Sequence, residues 1–317
     1  MAVVTGAAGA AGPTGAAARD LAAARGRRRS RVAYLFLAPW ILGVLGLTLG
    51  PMLASLYLSF TDYRLSGAPS WVGLANYQRM FTDDPRYWSS VWVTAKYVLL
   101  SVPLQLAFAL AIAVFLDRGV RGLAIYRSVY YLPSLLGSSV AVAVLWRRLF
   151  SSDGLVVDVA GWVGIQMSGG WISDPERALD TLLVLNVWTF GSPMVIFLAG
   201  LRQIPDELVE AAKVDGAGAV QRFFRVVFPL LTPVVFFNLI LQMIGAFQAF
   251  TPAYIVSAGT GGPADSTLFY TLYLFQSGFQ AFDMGYASAM AWGLFVVIGA
   301  FTALNFAASR YWVHYGD

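Results

Sequence analysis

The stretch from Pro205 to Pro233, PDELVEAAKVDGAGAVQRFFRVVFPLLTP, is the longest charged interruption in the second half of an otherwise apolar chain. Asp206, Glu207, Glu210, Lys213, Asp215, Arg222 and Arg225 lie within it. Side chains of these types make charge-assisted hydrogen bonds. Reaction chemistry is poorly served elsewhere. There is no cysteine, which removes disulfides, thiolate metal sites and cysteine nucleophiles. The single histidine, His314, sits at the extreme C-terminal end, so histidine acid–base catalysis and histidine-rich metal sites are not expected. No GxxxxGK[ST] loop is present to cradle a nucleotide, and Gly259 to Gly262 lacks the lysine. HExxH, GxSxG and carboxylate pairs at motif spacing are absent too.

The charged stretch has its own local grammar. Leu208, Ala211 and Ala212 fall at i, i+3 and i+4, the apolar face of a short helix. Asp206 is placed to cap its start, and Asp215-Gly216 to end it, with glycine free to turn left-handed. A second short helix is expected from Gly218 towards Phe228, with Pro229 and Pro233 marking the return to apolar sequence.

The elements that hold this stretch are membrane spans. Of 317 residues, 58% are hydrophobic and 12% charged, with mean hydropathy +0.66. A soluble domain is nearer a quarter charged, so the composition points to a polytopic membrane protein. Residues 1–31 are rich in Ala and Gly, end in an arginine cluster and read as a disordered basic tail. Six spans are expected: Val32 to Phe60, Val91 to Leu116, Tyr126 to Leu145, Thr181 to Leu201, Val226 to Phe250, and Gly285 to Ser309. With the N-terminus inside, only Arg64, Arg79, Arg86, Lys96, Arg147, Arg148 and Arg177 of the 21 basic residues fall outside. That bias favours cytoplasmic N- and C-termini and places the charged stretch in the cytoplasm.

Glu210-Ala211-Ala212, followed by Asp215-Gly216-Ala217, Phe223 and Pro229, resembles the EAA loop of ABC importer permeases. One departure is Phe228, where sugar permeases of that family usually carry leucine. Tyr57 to Asp62, Trp71 to Tyr77 and Thr260 to Thr267 resemble further motifs of carbohydrate permeases, so the likeness covers about Tyr34 to Trp312. It implies an all-α fold of type I ABC importer permease, with six transmembrane helices over residues 32–312, a coupling loop at 202–226 and a short tail at 313–317. It also implies one permease of a bacterial inner-membrane importer for a sugar or sugar derivative, working by alternating access. The partners implied are a second, different permease, two cytoplasmic ATPase subunits that bind ATP and Mg, an extracytoplasmic solute-binding protein and membrane lipid, with no nucleic acid. No cofactor is implied in this chain, which would not itself be an enzyme. Glu210 and Asp215 would grip the ATPase, and the small Ala211, Ala212, Ala217 and Gly218 would allow close approach, with Gly216 in the same coupling set.

Within the spans, Asn238 and Gln242 share one helical face that Gly245, Ala246 and Ala249 continue, and Asn186 and Trp188 lie in the fourth segment. Amides can bond sugar hydroxyls and an indole can lie against a pyranose face. The same amides can equally bond neighbouring helices. The competing reading of the whole is an ion-coupled carrier or a membrane enzyme. The scarcity of ionisable residues in the spans counts against it.

Overall fold

A computed structural model describes residues 36–65, 67–117, 122–137, 139–162, 164 and 170–314. The expected tail at 1–31, the first residues of the first span from Val32, Arg118 and Arg121, and residues 315–317 of the expected C-terminal tail lie outside the described residues. Among the described residues there are helices and two isolated bridges, and no strand.

Two compact units are distinguished, Met1–Tyr57 and Leu58–Asp317. The first is described as nearly all of α1 (Phe36–Ser59), an apolar helix with a π-helical stretch at Val44–Leu49. Phe36, Trp40, Leu42 and Leu47 are exposed along it.

The second unit is built on α2 (Pro85–Asp117), which packs against three later helices: α6 (Ala178–Trp188), α7 (Gly191–Leu201) and α10 (Phe228–Phe247). Tyr97, Val102, Ala109 and Ala113 of α2 are buried against a core that includes Leu182, Met194, Phe197 and Leu231. The helix begins six residues before the expected Val91. The reason is a cap: the Asp84 carboxylate accepts from the backbone N–H groups of Arg86 (3.0 Å) and Tyr87 (3.2 Å), and Pro85 gives up no donor at the first helical position. Lys96, counted above with the outer loops, therefore lies inside this helix.

The third and fourth spans are each two helices. α3 (Leu123–Leu136) gives way to α4 (Val140–Leu149), whose N-cap Ser139 accepts from Val142 N–H at 3.3 Å. α5 (Leu155–Trp162) lies beyond. α6 and α7 meet at a 41° bend. Pro193 explains that bend. It has no N–H for the carbonyl of Thr189, four residues back, and that carbonyl turns instead to other helices. Gln105 Nε2 donates to it at 3.1 Å and Ser134 Oγ at 2.8 Å. Gln105 also donates to Thr189 Oγ1 at 3.1 Å.

Beyond α7, α8 (Asp206–Val214) and α9 (Ala219–Arg222) carry the charged stretch. The second short helix does not stop before Pro229. It passes through a π turn, Phe223–Val227, straight into α10. Pro233 deprives the Pro229 carbonyl of its partner, and Thr232 Oγ1 donates to it at 2.6 Å. α11 (Thr251–Val256) packs on α4, and α12 (Tyr270–Phe275) on α2. The segment expected as an outer loop from Thr251 to Met284 is thus largely folded, with Leu268, Phe269 and Leu272 buried. α13 (Met284–Trp312) ends the described chain. Among the described residues, four helices are long and apolar enough to cross a membrane, or up to six spans when each bent pair counts as one.

Gly191 shows how tightly α7 meets α3. A Cβ there would come within 2.4 Å of the Tyr130 carbonyl oxygen and 2.7 Å of Tyr131 Cα, both backbone atoms that cannot yield cheaply. Gly191→Ala is expected to destabilise the fold by about 1–3 kcal/mol. Gly245→Ala, with nothing within 4 Å, should be near neutral. Thermal unfolding of the two variants in detergent checks the contrast, and equal melting temperatures would contradict it.

Candidate functional site

The charged stretch forms a compact projection. Asp206 and Glu207 lie in the first turn of α8 and Lys213 in its last, signs that suit the helix dipole. Asp206 is the first helical residue and not the cap. Pro205, in extended conformation, occupies the cap position without a side-chain bond, because the chain is already helical at Asp206. The C-terminal end is a Schellman turn. Ala217 N–H donates to Ala212 O at 3.0 Å and Gly216 N–H to Lys213 O at 3.1 Å. Gly216 has φ +80°, the left-handed region. Arg222 Nη1 locks the turn by donating to Ala217 O at 2.7 Å.

Glu210, Ala211, Asp215 and Gly216 are exposed, Ala212 and Ala217 half-buried. Exposed apolar residues stand beside them: Val214 (88% exposed), Val220 (71%) and Phe224 (61%). The ion pair of Arg202 with Asp117, 3.7 Å, ties the start of this projection to the C-terminal end of α2. A face that mixes unpaired carboxylates with exposed valine and phenylalanine is a docking surface in its chemistry.

A cavity of about 350 Å³ lies among α2, α3, α6 and the end of α10. Asn186, Thr189, Ser134, Gly245, Ala249 and Gln248 line it. Asn186 Nδ2 donates to Gln105 Oε1 at 3.2 Å, extending the Thr189 network. Every group named here is uncharged, which suits a neutral hydroxyl-bearing ligand. The other expected path residues lie off this cavity. Trp188 sits beside Trp146, ring centroids 5.3 Å apart. Asn238 is fully buried. Its Nδ2 donates to Val234 O of its own helix at 3.3 Å, and its Oδ1 has no partner. Gln242 is half-buried. Gln105, Thr189, Ser134 and Gln248 escaped the sequence reading. The rule that picked out Asn186, an amide inside an apolar span, applies equally to Gln105.

At the opposite end of α2 from the projection, three chain segments meet on Asp84. Its carboxylate, 9% exposed, accepts from the hydroxyls of Tyr273 and Tyr286 as well as from the α2 amides. Burial works to raise its pKa, but the tyrosine hydroxyls and the two amides outweigh it, and the net direction is downward. Arg86 forms a two-pronged pair with Asp265 at 2.8 and 2.9 Å, and Arg79 pairs with Asp283 at 2.8 Å beneath the Tyr286 ring. Nothing in the sequence marked these partners, which are far apart in the chain.

Comparison with known proteins adds what geometry alone does not. Residues 85–313 match the family described as "Binding-protein-dependent transport system inner membrane component". The chain is 54% identical over 303 residues to the probable ABC transporter permease protein YesP of Bacillus subtilis, covering 95% of this chain and 98% of that one. It is 32% identical to the lactose transport system permease protein LacF of Rhizobium radiobacter, with 87% of this chain and 93% of that one covered. Among solved structures, a bacterial alginate ABC transporter crystallised with a pentasaccharide-bound periplasmic protein aligns with TM-score 0.76 at 20% identity. The alignment covers 90% of this chain and 96% of that one. At that identity the likeness speaks to the fold.

The Asp84 cluster generates a pH expectation. Because its pKa is lowered on folding, its stabilisation is fully present above the ordinary carboxylate pKa of about 3.9 and is lost as pH falls through the still lower folded value. Asp84→Asn should lower stability by about 1.5–3 kcal/mol at neutral pH, the worth of hydrogen bonds to a charged group. It should also flatten the acid limb of the melting curve below about pH 4. Melting temperatures from pH 3 to 7 test both. Parallel acid limbs in wild type and variant would rule the assignment out.

Proposed function

This chain belongs to the family of binding-protein-dependent transport system inner membrane components, and from that premise we propose that it is the permease through which an ATP-driven importer moves a sugar or sugar derivative. Several relatives are named for carbohydrate transport: the lactose permease above, the starch degradation products permease AmyD of Thermoanaerobacterium thermosulfurigenes and the arabinooligosaccharides permease AraP of Bacillus subtilis. The uncharged cavity at Asn186 is in keeping with a neutral cargo.

The observation that carries the reading is the α8 projection. Glu210-Ala211-Ala212 and Asp215-Gly216-Ala217 are displayed on a locked Schellman turn, with Val214 and Val220 exposed beside them. We assign this surface to the groove of a cytoplasmic ATPase, which binds ATP and Mg in a separate chain. Both termini are then cytoplasmic, and the Asp84 end faces the solute-binding protein. A second, different permease completes the membrane pair. Asn186 borders the sugar path, with the half-buried Gln242 as a further candidate.

Gly216→Val tests the docking. No atom lies within 4 Å of the added Cβ, so the effect is backbone strain at positive φ, about 1–2 kcal/mol for an L side chain. ATP-dependent uptake of labelled sugars in a deletion strain should fall roughly tenfold while the permease still reaches the membrane. Normal uptake with a stoichiometric ATPase would sink the assignment. Uptake that collapses with the ion gradient at constant ATP would favour an ion-coupled carrier instead.

Gln242→Leu separates path from packing. As a path residue its loss lowers uptake while the complex assembles and its basal ATP hydrolysis persists. As interhelical glue its loss weakens assembly, by about 0.6 kcal/mol on average. Unchanged uptake at limiting and saturating sugar would reject the path role.

A further inference from the structure

We propose that a groove between α2, α10 and α13 holds one acyl chain of a membrane phospholipid whose phosphate is bound by Lys96. The groove encloses about 270 Å³ and is lined by Trp88, Ala95, Leu99, Phe247, Val297 and Phe301 among others. All three helices belong to apolar, membrane-length stretches. The polar atoms around it are already used: Thr94 Oγ1 accepts from Tyr270 N–H, Tyr270 Oη donates to Met290 O, and Trp88 Nε1 donates to Phe81 O. The slot therefore offers an occupant only apolar contact, which suits an alkyl chain and not a sugar or a free anion.

Lys96 supplies the second, independent observation. It stands in the third to fourth turn of α2, roughly 16 Å along the helix from Pro85. It is exposed, and no acidic side chain pairs with it among the described residues. Its helical neighbours at i−4 and i+3 are Trp92, 71% exposed, and Leu99, 66% exposed and itself part of the groove wall. The cation thus borders the groove on a face that is otherwise apolar. An unpaired charge this far inside an apolar, membrane-length helix is costly and calls for a counter-charge.

Geometry selects the phospholipid as its source. Side chains on a helix lean towards its N-terminus, so Lys96 leans towards Trp92, one turn nearer the Asp84 end, with Trp88 one turn further along the same helix. Tryptophans of this kind mark the membrane–water interface, where phosphates lie. Arg79 and Arg86 are not available for the same task, since Asp283 and Asp265 hold them. A second membrane subunit would have to bring its own buried carboxylate to this depth, whereas a lipid presents phosphate and chain together. The proposal does not depend on which sugar is carried or on the role of α8.

The test is native mass spectrometry of the full-length chain titrated with phosphatidylglycerol in mild detergent. Wild type should retain one phospholipid, and millimolar inorganic phosphate should not displace it. Lys96→Gln should weaken retention about fivefold, the factor one basic residue contributes near an anionic membrane surface. Ala95→Trp, which fills the slot while keeping the cation, should weaken it as well, and Lys96→Arg should restore wild-type retention. Both weakened variants are expected to melt as wild type does. If one misfolds, the other still decides. Wild-type retention in both Lys96→Gln and Ala95→Trp would overturn the proposal. So would displacement by inorganic phosphate alone, or capture of another polypeptide instead of lipid by a photo-crosslinker at position 96.

Discussion

A carbonyl without a donor lies at the centre of this structure. Pro193 removes the N–H that Thr189 O would otherwise accept, and a span has few other donors to offer it. Gln105 of α2 and Ser134 of α3 answer with donors at 3.1 and 2.8 Å. That requirement draws three spans to one point and fixes the 41° bend between α6 and α7. It also leaves beside the bend the uncharged cavity into which Asn186 and Thr189 face. The break in the fourth span and the cavity are two consequences of one missing hydrogen.

The two ends of α2 are held by different means, and the difference suits different work. At one end Asp84 is a buried anion with four donors around it, flanked by the Arg79–Asp283 and Arg86–Asp265 pairs. Its bonds join residues nearly two hundred positions apart, so they tie the start of α2 to α12 and α13. At the other end, among the described residues, Asp117 pairs with the half-exposed Arg202 at 3.7 Å, a pair of the kind worth about 1 kcal/mol or less. The α8–α9 projection beyond it is braced mostly from within, by its Schellman turn and by Arg222. Its second helix continues through the π turn into α10, so any displacement of the projection is carried directly into that span.

Prolines inside spans recur as a device. Pro233 frees the carbonyl of Pro229, and the neighbouring Thr232 hydroxyl takes it at 2.6 Å while also accepting from His314 N–H at 3.0 Å. The π turn at Phe223–Val227 lets the charged helix run into the membrane without a gap. At Pro193 and Pro233 the carbonyl freed by the proline is taken by a hydroxyl or an amide side chain.

Composition and local pattern alone determined a great deal. The apolar runs declared the spans, since a length near 30 Å of uncharged sequence has few other uses. Asp215-Gly216 declared the turn, since only glycine sits at φ +80° without strain. The EAA spacing declared the family. Asp84-Pro85 carried the true start of α2 as a readable cap signal that hydropathy overrode. What only the tertiary structure decided were the pairings. Sequence shows that Gln105, Ser134 and Asn186 are polar, but not that an orphaned carbonyl at Thr189 gathers them. It shows Asp84, Tyr273 and Tyr286, but not that they converge. It shows Lys96, but not that the residue stands at the rim of an apolar groove. Helix periodicity is a property of neighbours three and four residues apart. The face a helix turns to its partners depends on contacts between residues tens to hundreds of positions away, and no local rule contains those.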